Sequence, residues 1–348
     1  MSLLEPEVLA RARHRLYGLL GRLLVEGPRP EALALARAVP TLAAVLPPPD
    51  AGPDVLDDLA AAHYAATTEV SPVASAVLGE DGLIGGPVAD AIRAAYLAGG
   101  FHPSRTDVAI DHVGLQLAYL AHLCDAEAQA HADGALDAVE RLTALQQGFL
   151  DDPLARWLPA WVVASGDAGG PVWRTVAELS LELVASHRSA SRRSASRRSA
   201  SRRSASRRSA SRRSAPAPDA APATTAGPGL DLDDPDVDLR SIATLIVRPA
   251  RSGWLLSRTA LARVCAAAGV TSGLGERGRV LAGALESAAA LGQLQPLVEA
   301  LMQELEAWQA QLERLGTQLL LPTEPWLARA RQTHALLTTV RDAVIQVR

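Results

Sequence analysis

Residues 64–75 read Tyr64-Ala-Ala-Thr-Thr-Glu69-Val-Ser71-Pro72-Val73-Ala74-Ser75; a Gly85-Gly86-Pro87 break follows, then a segment ending at Tyr96 and Gly99-Gly100, then Asp111-His112. Pro87 suits a first helical turn, where its missing N–H costs nothing. Val88, Ile92 and Ala95/Tyr96 repeat at helical spacing, and Gly99 reads as a left-handed stop. Asp111 reads as the N-cap of a second helix, because its carboxylate can accept from amides of the first turn. In that helix Val113, Leu117, Leu120 and Cys124 form an apolar stripe, with His112, Gln116 and Tyr119 lined up beside it. The polar strip has two readings, a half-exposed boundary face or a peptide-contacting surface.

Working outward, the order and spacing of Ser71-Pro72, Tyr96…Gly99 and Asp111-His112 resemble the TorD family of redox-enzyme maturation chaperones, which also contains DmsD and NarJ. The resemblance covers residues 8 to about 186. Arg13-His14-Arg15-Leu16-Tyr17-Gly18-Leu19-Leu20 fits the family's first helix, and Trp157–Trp161 with Trp173–Ala185 its last two. Val73-Ala74 stands where many members have Tyr-Glu, Ile110 where a proline is usual, and Gln116 where a glutamate is frequent. What the resemblance implies is an all-α bundle that binds an apo-molybdopterin oxidoreductase catalytic subunit, through its twin-arginine signal peptide or N-terminus, while the molybdopterin cofactor is installed. The candidate client contacts, drawn from these motifs and from the polar strip, are Tyr64, Ser75, Tyr96, Asp111, His112, Gln116 and Tyr119.

Composition agrees with a helical protein. The 348 residues are rich in Ala and Leu, 48% hydrophobic and 3% aromatic, and every one of the 34 basic residues is arginine. Cys124 and Cys265 match no CxxC pattern and read as free thiols. The start, Met1 to Glu7, is acidic where a signal peptide would be basic, and no apolar run approaches the ~20 residues of a membrane span. The expected location is the cytoplasm.

From Ser189 to Arg213 the pentapeptide Ser-Ala-Ser-Arg-Arg occurs five times without an error, followed by a Pro/Ala-rich stretch and the acidic run Asp231–Asp238. Such composition cannot bury a core. The chain therefore divides into a helical domain at 1–187, a disordered linker at 188–240 and a second, smaller helical region at 241–348. Net charge is −13 over residues 1–187, +11 over 188–213 and −2 over the remainder. The cationic arm has three physical uses: binding nucleic acid phosphates, docking on anionic lipid, or folding back on the acidic domain. Each repeat contains Ser-Arg-Arg, the polar core of a twin-arginine signal, so a folded-back arm would act as a tethered competitor for the client site.

Beyond the linker, Ser257 caps a helix through Leu261, Val264 and Cys265 that Gly269 stops. Glu276–Leu291 is a second helix. Pro296 begins a third, with Leu297, Leu301, Leu305, Trp308, Leu312 and Leu315 on a near-heptad seam that reads as internal core. Thr323 caps a fourth, with Leu327, Ala330, Leu337 and Val340 on one side. Ile242–Val247 fits a strand or a buried helical turn equally. The region reads either as a client-specific extension or as the completion of the bundle, and a swapped dimer is feasible across a long linker.

Searches for chemistry return nothing specific. There is no HExxH, and a P-loop would need a lysine. Gly273-Leu-Gly275-Glu-Arg-Gly278 has the glycines of GxGxxG but no preceding strand, so it reads as a turn. His122, Cys124 and His131 do not converge at helical spacing on a metal, and Ser75 with Asp111 and His112 carries little weight as a triad. The expectation is a binding protein with no catalytic residue, metal or cofactor of its own. The competing readings are a nucleotide-binding or hydrolytic enzyme on the same scaffold, or nucleic-acid binding through the arginine repeat, which is the least expected partner.

Overall fold

The computed structural model describes residues 5–166, 168–207, 230, 234 and 236–346. Among these residues all regular structure is helical; the single β-bridge, Val73 to His112, is isolated. Helix α1 (Pro6–Glu26) leads through two short helices, α2 (Pro30–Ala36) and α3 (Pro40–Ala43), to α4 (Pro53–Glu69). Each of the four has proline in its first turn, where no N–H is needed. The short α5 (Ala74–Leu78) and α6 (Gly86–Ala98) precede the central α7 (Val113–Ala132) and α8 (Leu136–Phe149). A single π-turn, Leu150–Leu154, joins α8 to α9 (Ala155–Ser165).

The bundle is built on the crossing of α1 and α7. Tyr17, Leu20 and Leu24 of α1 and Leu117, Leu120 and Cys124 of α7 are all buried. Two glycines set how close the helices come: a Cβ on Gly21 would lie 2.7 Å from the Gly114 carbonyl oxygen, and a Cβ on Gly114 would lie 2.4 Å from Val25. No side chain larger than hydrogen fits at this contact without separating the helices.

The expected disordered segment at 188–240 is corrected at both ends. Helix α10 runs from Gly170 to Arg207, so the first repeats continue the bundle's last helix. Alanine, serine and arginine are compatible with a helix once it has been nucleated by the apolar Trp173–Ala185 segment. Arg188 is buried, its guanidinium donating to Asp151 at 2.6 Å and to the Leu320 carbonyl at 2.9 Å. At the other end α11 (Leu239–Ile246) is already helical, its first turn capped by Asp238 accepting from the Ser241 amide at 2.8 Å. That cap decides the Ile242–Val247 ambiguity in favour of helix. The remaining stretch, 208–229, lies outside the described residues, as does part of the acidic run.

The C-terminal helices are α12 (Pro249–Ser252), α13 (Arg258–Ala267), α14 (Arg277–Ala290), α15 (Leu294–Leu319) and α16 (Glu324–Gln346). Ser257 caps α13 by accepting from the Ala260 amide at 3.1 Å, as its sequence indicates. Leu297, Leu301, Leu305, Trp308 and Leu312 of α15 are buried, and Trp308 meets Trp326 of α16 edge-on at 6.4 Å. The near-heptad seam is core. These helices also pack on the first part of the chain: α15 lies against α9 and α10, and α12 against α5. The Trp326 indole donates to the Arg156 carbonyl, and the buried apolar residues of both parts form one continuous cluster.

Candidate functional site

Six of the seven residues expected to contact a client meet inside the protein. Ser75, Tyr96, Asp111, His112, Gln116 and Tyr119 are buried, whereas Tyr64 on α4 is 72% exposed and lies apart from them. The junction is organised by Asp111, and here the capping expectation is corrected. Asp111 does not cap α7. Its carbonyl accepts from the Ala74 amide at 3.1 Å and its Oδ2 from the Ser75 amide at 2.6 Å, so it serves the first turn of α5. The α7 cap is His112, whose Nδ1 accepts from the Gly114 amide at 3.1 Å.

From Asp111 the bonds run in two directions. Gln116 donates to the Asp111 carbonyl at 2.7 Å, and the Trp157 indole of α9 lies 3.4 Å from the Gln116 carbonyl oxygen. In the other direction Ser75 Oγ accepts from the Gly85 amide at 2.9 Å and so fixes the loop between α5 and α6. The polar strip of α7 is therefore interior. Tyr119 donates to the Ala95 carbonyl at 2.8 Å, and its ring packs against Tyr96, Phe101 and Phe149. Gly99 has φ −90°, so the left-handed stop expected there falls on Gly100 at φ +68°. Gly99 matters for space: a Cβ on it would sit 2.5 Å from the Tyr119 ring.

Burial sets the electrostatics. His112 is pushed down to about 4 by burial, with His63 nearby adding to the effect, so its imidazole is neutral and free to accept from Gly114. Burial pushes the Tyr119 phenol up to about 12 and raises Tyr96 well above its ordinary value, Asp111 and Tyr119 adding to the latter. The Tyr96 hydroxyl and Asp111 Oδ1 are buried without a hydrogen-bond partner among the described residues. Ser75 Oγ is occupied by Gly85 and His112 Nδ1 by Gly114, and no bond links the two side chains, so the geometry of an activated serine is missing. Among the described residues no group of His, Cys, Asp and Glu is placed to hold a metal, and both cysteines are buried free thiols.

A second constellation was not visible in sequence. The loop that Ser75 anchors forms one wall of an open groove of about 950 Å³ whose opposite wall is α11 and the start of α14. Asp81, Leu83 and Ile84 come from the loop; Arg240, Arg248, Arg258, Arg277 and Arg279 come from the far side. Leu83 and Ile84 are 66% and 64% exposed. Residues so far apart in the chain give no spacing signal, although two adjacent large apolar residues inside a glycine-rich loop are an unusual exposure.

Compared with known families, residues 30–163 match the model described as nitrate reductase delta subunit, a stretch that runs from α2 into α9 and contains the whole buried junction. Neither a curated protein nor a solved structure matches the chain.

Proposed function

We propose that this chain, whose residues 30–163 belong to the nitrate reductase delta subunit family, is a chaperone for the catalytic subunit of a molybdenum oxidoreductase. It acts by binding. It holds the unfinished subunit, through a twin-arginine signal or the N-terminal segment, and keeps it open in the cytoplasm while the client's molybdopterin cofactor is inserted. The observation that carries this reading is that the family match and the motif around Ser75, Tyr96 and Asp111-His112 fall on the same stretch and build one structural unit. A net charge of −13 over residues 1–187 supports attraction of a client's arginines.

The division of labour among the seven residues follows from exposure. Tyr64 makes direct contact, since an exposed aromatic ring offers large area at low entropic cost. Ser75, Tyr96, Asp111, His112, Gln116 and Tyr119 shape the helices around the site without reaching the client. The test is affinity purification of the tagged chain from anaerobically grown cells, with mass spectrometry of what co-elutes. An apo-molybdenum oxidoreductase subunit is expected, recovered several-fold less with Tyr64→Ala. Recovery of general chaperones or RNA alone would overturn the reading.

A further inference from the structure

The groove between the Ser75-anchored loop and α11/α14 carries more positive charge than its neighbours neutralise. Two of its arginines are paired: Arg240 with Glu286, and Arg279 with Glu276 at 3.7 Å. The other three are not. Arg258 donates to the Gly275 carbonyl at 2.8 Å and Arg277 to the Leu256 carbonyl at 2.9 Å, and Arg248 makes no ion pair among the described residues. Asp81, the third carboxylate of the groove lining, accepts from the amide of Leu83 in its own loop. Glu69, close to Arg277, accepts from the Thr259 amide. Among the described residues this leaves five arginines facing four carboxylates that are all already engaged. Arg277 is mostly buried; burial is the main cause that lowers its affinity for the proton and Arg258 beside it adds to this, while the carboxylates of Glu69 and Glu276 offset part of the effect. Guanidinium groups held close together, one of them largely desolvated, are stabilised by a carboxylate brought from outside.

We propose that this groove is a docking site for an acidic, leucine-bearing segment of a protein partner. Charge complementarity argues for carboxylates, and it argues against an arginine-bearing signal at this place. Leu83 and Ile84 argue for a peptide over a small anion, because they offer apolar area on the wall facing the arginines. A small phosphate would use neither these side chains nor a groove of about 950 Å³. The inference stands on the groove alone and does not depend on the chaperone reading.

The test is fluorescence anisotropy of the full chain with a labelled peptide of alternating glutamate and leucine. The glutamine counterpart, a peptide carrying Ser-Arg-Arg and a single-stranded RNA serve as controls. The acidic peptide is expected to bind, the glutamine and arginine peptides not to bind, and affinity to fall with added salt. Arg248→Glu with Arg258→Glu should weaken binding ~tenfold or more, and Leu83→Ser with Ile84→Ser, at exposed positions, should weaken it with thermal unfolding unchanged. Equal binding of the glutamine peptide, or unchanged affinity in the Leu83/Ile84 variant, overturns the proposal. So does RNA that displaces the acidic peptide at equal charge, since the groove would then be a phosphate site.

Discussion

Asp111 shows how much one side chain can organise. Its carbonyl and carboxylate take the first two amides of α5, groups that helix geometry leaves without partners. Asp111→Ala strips the carboxylate and leaves the buried Ser75 amide unsatisfied, a cost of about 2–3 kcal/mol that chemical denaturation should report. Ser75→Ala loses only the neutral bond to Gly85, about 1 kcal/mol, but frees the groove-forming loop, which hydrogen exchange at residues 82–86 should register. His112 adds a pH signature. Its folded value of about 4 lies below the ordinary 6.5, so the unfolded chain binds the extra proton and stability falls as pH drops from 6.5 towards 4. The loss reaches about 3 kcal/mol at and below pH 4. His187 and His63, lowered chiefly by burial, shift the same way. His112→Asn keeps a capping acceptor and cannot titrate, so its unfolding midpoint should depend less steeply on pH than the parent's; equal slopes would remove His112 from the account. At this scale the sequence singled out residues that do meet, six of the seven, and misjudged their hydrogen-bond partners. A cap that acts 36 positions away leaves no trace in spacing.

Among the elements, the helices with strong periodicity and a good cap were legible. The starts of α6, α13 and α14, and the buried seam of α15, follow from Pro87, Ser257, Glu276 and the Leu297–Leu312 pattern. The apolar stripe of α7 alone predicts a one-sided helix. Leu115, Tyr119 and Leu123 lie off that stripe and are buried too, and a helix apolar on all sides is a central one. The same centrality explains the glycine contact with α1. Gly21→Ala would improve helix propensity by almost 1 kcal/mol. Its new Cβ would nevertheless meet the Gly114 carbonyl oxygen at 2.7 Å, a backbone atom that cannot rotate away. The net expectation is destabilisation by about 1–3 kcal/mol, seen as a lower melting temperature, while Gly18→Ala on the same helix, whose Cβ has 3.9 Å to Ala121, should be tolerated. If Gly21→Ala proves as stable as the parent, the crossing is looser than described.

At the scale of the whole molecule, composition separates what packing joins. A repeat of serine, alanine and arginine looks like a divider, and residues 1–187 and 241–348 look like two units. Yet Arg188 sits just past the first boundary with its guanidinium buried against Asp151 and the Leu320 carbonyl, and α15 lies on α9 and α10. Trp326, 2% exposed, crosses to the Arg156 carbonyl. A fragment ending at 187 would uncover the apolar surface of α9 and delete the partner of Asp151. Exposed area of that kind costs about 25 cal/mol per Å², enough for the fragment to bind a hydrophobic dye and melt over a broad, low range. A fragment ending at 207, co-expressed with residues 236–348, should instead recover the interface and co-purify as a one-to-one complex. Two fragments that stay apart, each unfolding cooperatively, would show that the boundary legible in the sequence is also the boundary of folding. The buried Arg188 makes the opposite expectation the better founded one, because a guanidinium held at 5% exposure needs both Asp151 and Leu320 in place to be stable there.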